Sequence, residues 1–419
     1  MTSQRVAAVC AIAAVAAVSA RAAAEPPAAA APSAEVAAWQ AFCDSLRESG
    51  TRFLMAHPQR HAIDRAESTR YLAQQIGSAV ELALVEREPE LPLLRINSTS
   101  LRKWGLDGAD AKYQAASIEA GGSYRVRGQL GNAALIAFQV YTLEPDYTAF
   151  ASLSGERGID LPLQPDGRYE LRVSAQRPAD WKGPWLELDP RATTFLIREY
   201  FDDWDAAQMS RFQIERLDPP PAPLPLTPEA SAEILERAAR LFAHRIPMWI
   251  RPAAHAREQL RNRLSQLSIG SQALHDNIYG AGWFALEPGQ ALLIEFDAPE
   301  GRLWSFQLGN FWWESLDYLN HTGSLNSRQA VPSSDGHYRI VVSLEDPGVP
   351  NWLDPAGHPE GYLMYRYQRA LGAPVPEARL VRLADLAQLL PAGTRRVSAE
   401  ERRAELARRR AHAAERWTP

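Results

Sequence analysis

The sequence predicts a mainly β protein with flanking helices (α+β): two duplicated lobes of β-sandwich or jelly-roll-like type, an N-terminal helical region and a C-terminal helix. Three observations predict it. Helical apolar spacing is confined to the two ends and the middle of the chain. Between those helices lie two clusters of short alternating runs punctuated by Gly, Pro and Asp. The two clusters also resemble each other in order. With 419 residues, 46% hydrophobic and 23% charged, the chain is long enough for two cores.

At the start, Arg5 precedes an apolar run from Val6 to about Ala20, and an Ala-x-Ala pattern ends before Glu25. This is the layout of a secretory signal peptide over residues 1–24, followed by an Ala/Pro spacer over 25–34. The run is short for a membrane-crossing helix, so the expectation is an exported, periplasmic or secreted protein with no transmembrane segment in its mature form. Loss of the leader would leave Cys43 as the single cysteine and exclude an intramolecular disulfide. Cys43 lies among Trp39, Phe42 and Leu46 at helical spacing, which makes it a small buried hydrophobe. With 45 basic against 50 acidic residues and a net charge of −5, no nucleic-acid partner is expected.

Residues 35–90 read as an N-terminal helical region, with a break at "MAHPQRHAI". Residues 91–217 hold the first β lobe, including "YRVRGQL", "ALIAFQVYT" and "TTFLIREYF". Residues 218–275 begin with a proline-rich linker and continue as helices, with Thr227 as N-cap and Pro228 in the first turn. Residues 276–372 form the second β lobe. Residues 373–419 form a C-terminal helical tail opened by a Ser398–Glu401 capping box and read as solvated.

The duplication rests on four ordered matches: "FQV" at Phe138 with "FQL" at Phe306, "DGRYELRVSA" with "DGHYRIVVSL", "WLELDP" with "WLDP", and "FLIREY" with "YLMYRY". Alternation places Trp304, Phe306 and Leu308 on one core face, matching Ile136, Phe138 and Val140. One continuous sandwich built from both copies is the alternative arrangement.

A duplicated scaffold supplies an internal control, because residues shared by both copies are expected to serve the fold. The segment Phe311 to Val331, "FWWESLDYLNHTGSLNSRQAV", has no counterpart of like chemistry in the first copy. Trp312 and Trp313 offer flat apolar faces, and Asn326, Arg328 and Gln329 offer orienting hydrogen bonds. Asp317 and Glu314 are the candidate acid or base, with His321 or Tyr318 as catalytic partner. A second loop, "EDPGVPNWLDPAGHPEGY", adds Asp346, Asn351, Trp352, Asp354 and His358 as ligand-binding candidates. His321, His337 and His358 are too scattered to define metal-ligand spacing, so a metal is only weakly signalled; Ser324 lies in no nucleophile elbow, which disfavours a serine hydrolase, and the sequence leaves any cofactor unknown. "HDNIYGAG", from His275, is read as a turn entering a strand.

The motifs "KYQAASIEAGGSYRVRGQLG", "IREYFDDWD", "SLDYLNHTGSLNSRQA" and "DPGVPNWLDPAGHPEGY" resemble the bacterial domain-of-unknown-function twelve-fourteen family. Asp317, Tyr318, Ser324, Leu325, Asn326 and Gln329, then Asp346, Pro347, Gly348, Asn351, Trp352 and Asp354, fit its characteristic positions, while His321 stands where members often carry arginine. The resemblance implies jelly-roll-like domains with accompanying helices and no particular activity. The functional expectation is binding of a small glycan-like or polar-aromatic molecule by the second lobe, with or without catalysis. The alternative is a non-catalytic structural or interaction module of the cell envelope.

Overall fold

Apolar spacing explains the opening hairpin. Ala38, Phe42 and Phe53 share one buried face of α1 (Ala34–Ala56), and Tyr71, Gln75, Ala79 and Ala83 share one of α2 (Ala62–Val85). The computed structural model describes residues 32–85, 92–99, 102–143, 150–157, 164–218, 226–267, 277–301, 303–370, 372 and 374–416. The leader, most of the spacer, part of the proline-rich linker and His275 lie outside them. α3 (Pro228–Arg245) begins as expected, the Thr227 hydroxyl accepting from the Ala230 N–H at 3.1 Å. With α4 (Ile250–Gln259), it closes a helical layer around Phe53, Tyr71, Leu241 and Phe242.

The first lobe contains β1 (Arg95–Ile96), β2 (Ala111–Ser117), β3 (Tyr124–Gln129), β4 (Leu135–Leu143), β5 (Phe150–Arg157), β6 (Arg168–Ser174), β7 (Trp185–Glu187), β8 (Thr194–Tyr200) and β9 (Arg211–Arg216). The second contains β10 (Leu264–Leu267), β11 (Asn277–Ala285), β12 (Gln290–Phe296), β13 (Leu303–Gly309), β14 (Ser324–Asn326), β15 (Tyr338–Ser343), β16 (Trp352–Leu353), β17 (Glu360–Gln368) and β18 (Glu377–Arg382). The first lobe forms sheets β1-β2-β8-β4-β5 and β7-β6-β3-β9; the second forms β10-β11-β17-β13-β14 and β16-β15-β12-β18, repeating both orders strand for strand. Registers agree too, with Phe138 opposite Ile197 as Phe306 is opposite Tyr365. Each copy is thus its own sandwich, with Phe138, Leu171 and Phe195 central in one core and Phe306, Ile340 and Leu363 in the other.

Two lobe boundaries need correction. β10 pairs with β11, so the second lobe begins within the expected helical region 218–275. β18 pairs with β12, so it ends beyond residue 372. Both are edge strands whose side chains stay partly exposed, and their weak apolar pattern reads as linker or tail. The C-terminal helix α6 (Ala399–Arg416) is not a solvated tail. Its capping box forms, with Ser398 N–H donating to Glu401 at 2.7 Å and Glu401 N–H to the Ser398 hydroxyl at 3.2 Å. Beyond the cap, Arg409 donates to the Ser324 carbonyl at 2.5 Å and fully buried Arg416 donates to the Ala109 carbonyl. The arginines look like solvent charge in the sequence but cap carbonyls in the structure.

The segment between β1 and β2 stitches the lobes together. Leu106 N–H donates to the Trp313 carbonyl at 2.7 Å, Ala109 N–H to Gln307 at 2.9 Å, and Lys103 donates to the Ser315 and Leu316 carbonyls.

Candidate functional site

After β13 the chain makes a tight turn on Asn310, whose side-chain oxygen accepts from Trp312 N–H and Glu314 N–H, each at 3.0 Å. Trp313 takes a left-handed conformation, φ 55°. The two adjacent tryptophans therefore go different ways. Trp312 is wholly buried under the helical hairpin, with ring centres 5.1 Å from Phe53 and 5.8 Å from Tyr71. It is packing, and its faces are closed to a ligand. Trp313 is half-buried and enters the space between the lobes.

The other residues singled out in the sequence divide in the same manner. Asp317 caps a turn, accepting from Leu319 N–H, Asn320 N–H and the Asn320 side chain; burial pushes its carboxyl up, but these bonds hold it below the usual range. Tyr318 is buried edge-on to Trp204 at 6.4 Å, and burial raises its hydroxyl well above normal. His321 meets Asp354 at 2.7 Å, so the two loops do converge at one end of the second lobe. Asp346 accepts from Arg402 at 3.0 Å, and Asn351 clamps Val331, bonding its N–H and its carbonyl at 2.8 Å each. Trp352 donates to the Ser343 carbonyl at 3.0 Å, much as Trp185 donates to the Ser174 hydroxyl at 3.1 Å in the first lobe. It belongs to the shared scaffold.

Asn326 is fully buried between the lobes. It donates to Asp110 at 2.7 Å and to the Asp202 carbonyl at 3.0 Å, and accepts from Arg328 and Gln329 N–H at 3.0 Å. It joins the lobes and has no donor to spare for a ligand. Asn326→Ala is expected to cost about 1–3 kcal/mol, read as a lower denaturant midpoint, because it removes one of two donors that the described residues give the buried Asp110 carboxylate, which keeps the Trp204 N–H at 2.9 Å.

Arg328, Gln329 and Asn351 line a cleft of about 690 Å³ beneath α6. Its charges largely neutralise one another: Arg328 with Asp203 at 3.4 Å, Arg408 with Asp205 at 3.8 Å, and Arg402 with Asp346 and Glu405. A ligand there would have to displace existing pairs.

A second constellation lies where α2 meets the second lobe. His358, buried, donates from Nδ1 to the Pro355 carbonyl at 2.8 Å and turns Nε2 to Glu67 at 3.0 Å. Burial lowers the imidazole, but the Glu67 carboxylate outweighs it and the net shift is upward. Asp64 joins them, and one ligand atom from each residue lies within 4.8 Å of the others. Asn310 bridges Glu67 at 2.9 Å and Glu314 at 3.2 Å. Glu314 is fully buried, and burial raises its carboxyl to about 7. A raised carboxyl stabilises the fold fully below its ordinary value of 4.5, and that contribution is lost as pH rises through about 7. Glu314→Gln should flatten this fall, worth on the order of 2–3 kcal/mol, in denaturation curves at pH 4.5 and at about pH 8.

The crevice that receives Trp313 runs between the non-core faces of the two five-stranded sheets, as two adjoining hollows of about 120 and 90 Å³. Trp104, Trp249 and Trp313 form one wall, with successive ring centres 5.1 and 4.8 Å apart. Facing it is a side-chain pair present twice. In the first lobe Tyr113 lies opposite Arg198 across β2 and β8; in the second, Tyr279 lies opposite Arg366 across β11 and β17. Arg198 stands 5.8 Å from the Tyr113 ring centre and donates to the Tyr141 hydroxyl at 2.5 Å, while its buried Nε has no hydrogen-bond partner among the described residues. Arg366 donates to the Leu106 carbonyl at 2.6 Å and to Gln307 at 3.2 Å. Among the described residues neither guanidinium pairs with a carboxylate. Asp107, the one acid among the described lining residues, accepts from Ser315 instead.

An uncharacterised protein from Burkholderia cenocepacia, of known crystal structure, is 30% identical over 83% of this chain and 97% of that one, with a TM-score of 0.76. The chain belongs to the same family as that protein. The VPA0106 protein from Vibrio parahaemolyticus, 13% identical over 75% of this chain and 98% of that one, has a TM-score of 0.43. No family model and no curated protein match the sequence. The family likeness extends over most of both chains, so the two-lobed architecture is common to them. No helix among the described residues is long and apolar enough to cross a membrane.

Sequence reasoning missed Arg198, Arg366, Tyr113, Trp104 and Trp249 in the crevice, and Asp64 and Glu67 beside His358. A signal for the first three existed. Aligning "FLIREY" on "YLMYRY" sets Arg198 against Tyr365, whereas the strand register sets it against Arg366. One residue of slip hid the repeated Tyr–Arg pair.

Proposed function

We propose that this chain binds a small aromatic anion, a single-ring carboxylate in chemistry, in the crevice between its lobes. The observation that carries the reading is the repeated Tyr–Arg pair, Tyr113 with Arg198 and Tyr279 with Arg366, whose guanidiniums have only neutral partners among the described residues. A guanidinium withdrawn from water without a counter-charge is costly, and a planar anion returns both charge and hydrogen bonds. The tryptophan wall supplies the apolar face that such a ring needs. Asp317 and His321 lie elsewhere, so the reading is recognition. The size of the hollows favours one ring over an oligosaccharide. The leader sequence supports export, and the quoted motifs support membership of the domain-of-unknown-function twelve-fourteen family.

The test is calorimetry of benzoate and benzamide with the full chain. Benzoate is expected to bind at least about tenfold more tightly, since a charge-assisted hydrogen bond is worth about 1.5–3 kcal/mol. Equal affinities, or no binding of either, would refute the anionic site.

A further inference from the structure

We propose that Asp64, Glu67 and His358 form a binding site for one divalent transition-type cation, Zn²⁺ or Mn²⁺, between α2 and the second lobe. Asp64 and Glu67 sit three residues apart in the first turns of α2, which puts both carboxylates on one face. His358 comes from the loop before β17. One ligand atom from each residue lies within 4.8 Å of the others, and a tetrahedral cation at about 2.1 Å from each would hold such atoms about 3.4 Å apart. His358 Nε2 and the Glu67 carboxylate are already 3.0 Å apart, so small shifts of the three side chains would close the site.

Three features go beyond acids gathered by chance. The Nδ1–H of His358 is committed to the Pro355 carbonyl, which fixes the tautomer that presents Nε2 as a ligand; Asn310 likewise orients Glu67. The Asp64 carboxylate is buried and accepts no hydrogen bond from any described residue. Beside them Glu314, 0% exposed, keeps one carboxylate oxygen, Oε1, without a hydrogen-bond partner among the described residues. A buried polar atom left this way is costly unless a cation or its water reaches it. Against these carboxylates, half-exposed Arg70 stands 3.8 Å from both Glu67 and Glu314, and Lys103 is held by backbone carbonyls. An imidazole among carboxylates suits Zn²⁺ or Mn²⁺ better than Ca²⁺, which takes six to eight oxygens.

The full chain, stripped with chelator, is titrated calorimetrically with ZnCl₂ and MnCl₂, with MgCl₂ for comparison. Saturable binding of one equivalent of Zn²⁺ or Mn²⁺ is expected, with a higher unfolding temperature and far weaker Mg²⁺ binding. His358→Gln and Glu67→Gln should each weaken it at least about tenfold, while His337→Gln, at an exposed turn, leaves it unchanged. Because buried variants can fail to fold, Mn²⁺ broadening of imidazole resonances in the wild-type chain provides a second reading. His358 should broaden before His337. No saturable binding, undiminished binding in both folded variants, or equal broadening of the two histidines would overturn the site.

Discussion

Trp312→Ala is expected to destabilise the protein by about 3–5 kcal/mol, the largest single effect foreseen for any residue of the Phe311–Val331 segment. The indole has no exposed surface and touches both layers it joins. Its ring packs on Phe53 of α1 and Tyr71 of α2, and its N–H donates to the Asp64 carbonyl at 3.3 Å. Truncation loses the buried apolar area and opens a cavity lined by Phe53, Tyr71 and Phe311, whose rings cannot fill it. Urea denaturation followed by far-ultraviolet circular dichroism measures the loss directly. A change below about 1 kcal/mol would mean that the helical hairpin does not depend on this contact. Trp313→Ala should differ in kind. Its half-exposed ring lines the crevice, so ligand affinity should fall more than stability.

Arg198→Leu is expected to weaken benzoate binding about ten- to hundredfold while changing stability by no more than about 1 kcal/mol. The two effects separate because the guanidinium donates to a tyrosine hydroxyl rather than to a carboxylate, so its removal leaves no buried charge behind. Arg366→Leu should act on binding in the same direction through the equivalent position of the second lobe. It should cost more stability, since Arg366 also satisfies the Leu106 carbonyl and Gln307. A binding loss in Arg198→Leu matched by an equal loss in unfolding free energy would assign the residue to the fold instead.

Much of the architecture was legible because it depends on local patterns. Alternation placed Phe138 and Phe306 in separate cores, and the ordered matches anticipated two sandwiches with one topology. Thr227 and the Ser398–Glu401 box marked helix starts through chemistry that acts within three residues. The site was less legible, for two physical reasons. Residues that meet across hundreds of positions leave no mark in spacing: Glu67 and His358 are 291 apart, and Trp249 reaches Trp313 from another layer. The assumption that one-copy residues serve function also misdirected attention. The polar residues of the added loops, Asn326 and Asn351 above all, are consumed in holding lobes and loops together. The crevice instead uses a Tyr–Arg pair retained in both copies. Trp352 could have been set aside from the sequence alone, because its partner Trp185 occurs in the matched "WLELDP".

The most direct measurement is a crystal structure of the full chain with benzoate bound. The carboxylate should lie within hydrogen-bonding distance of Arg198 or Arg366, with its ring against Trp249 or Trp313. Density for the ligand in the charged cleft beneath α6, with the crevice holding none, would contradict the account.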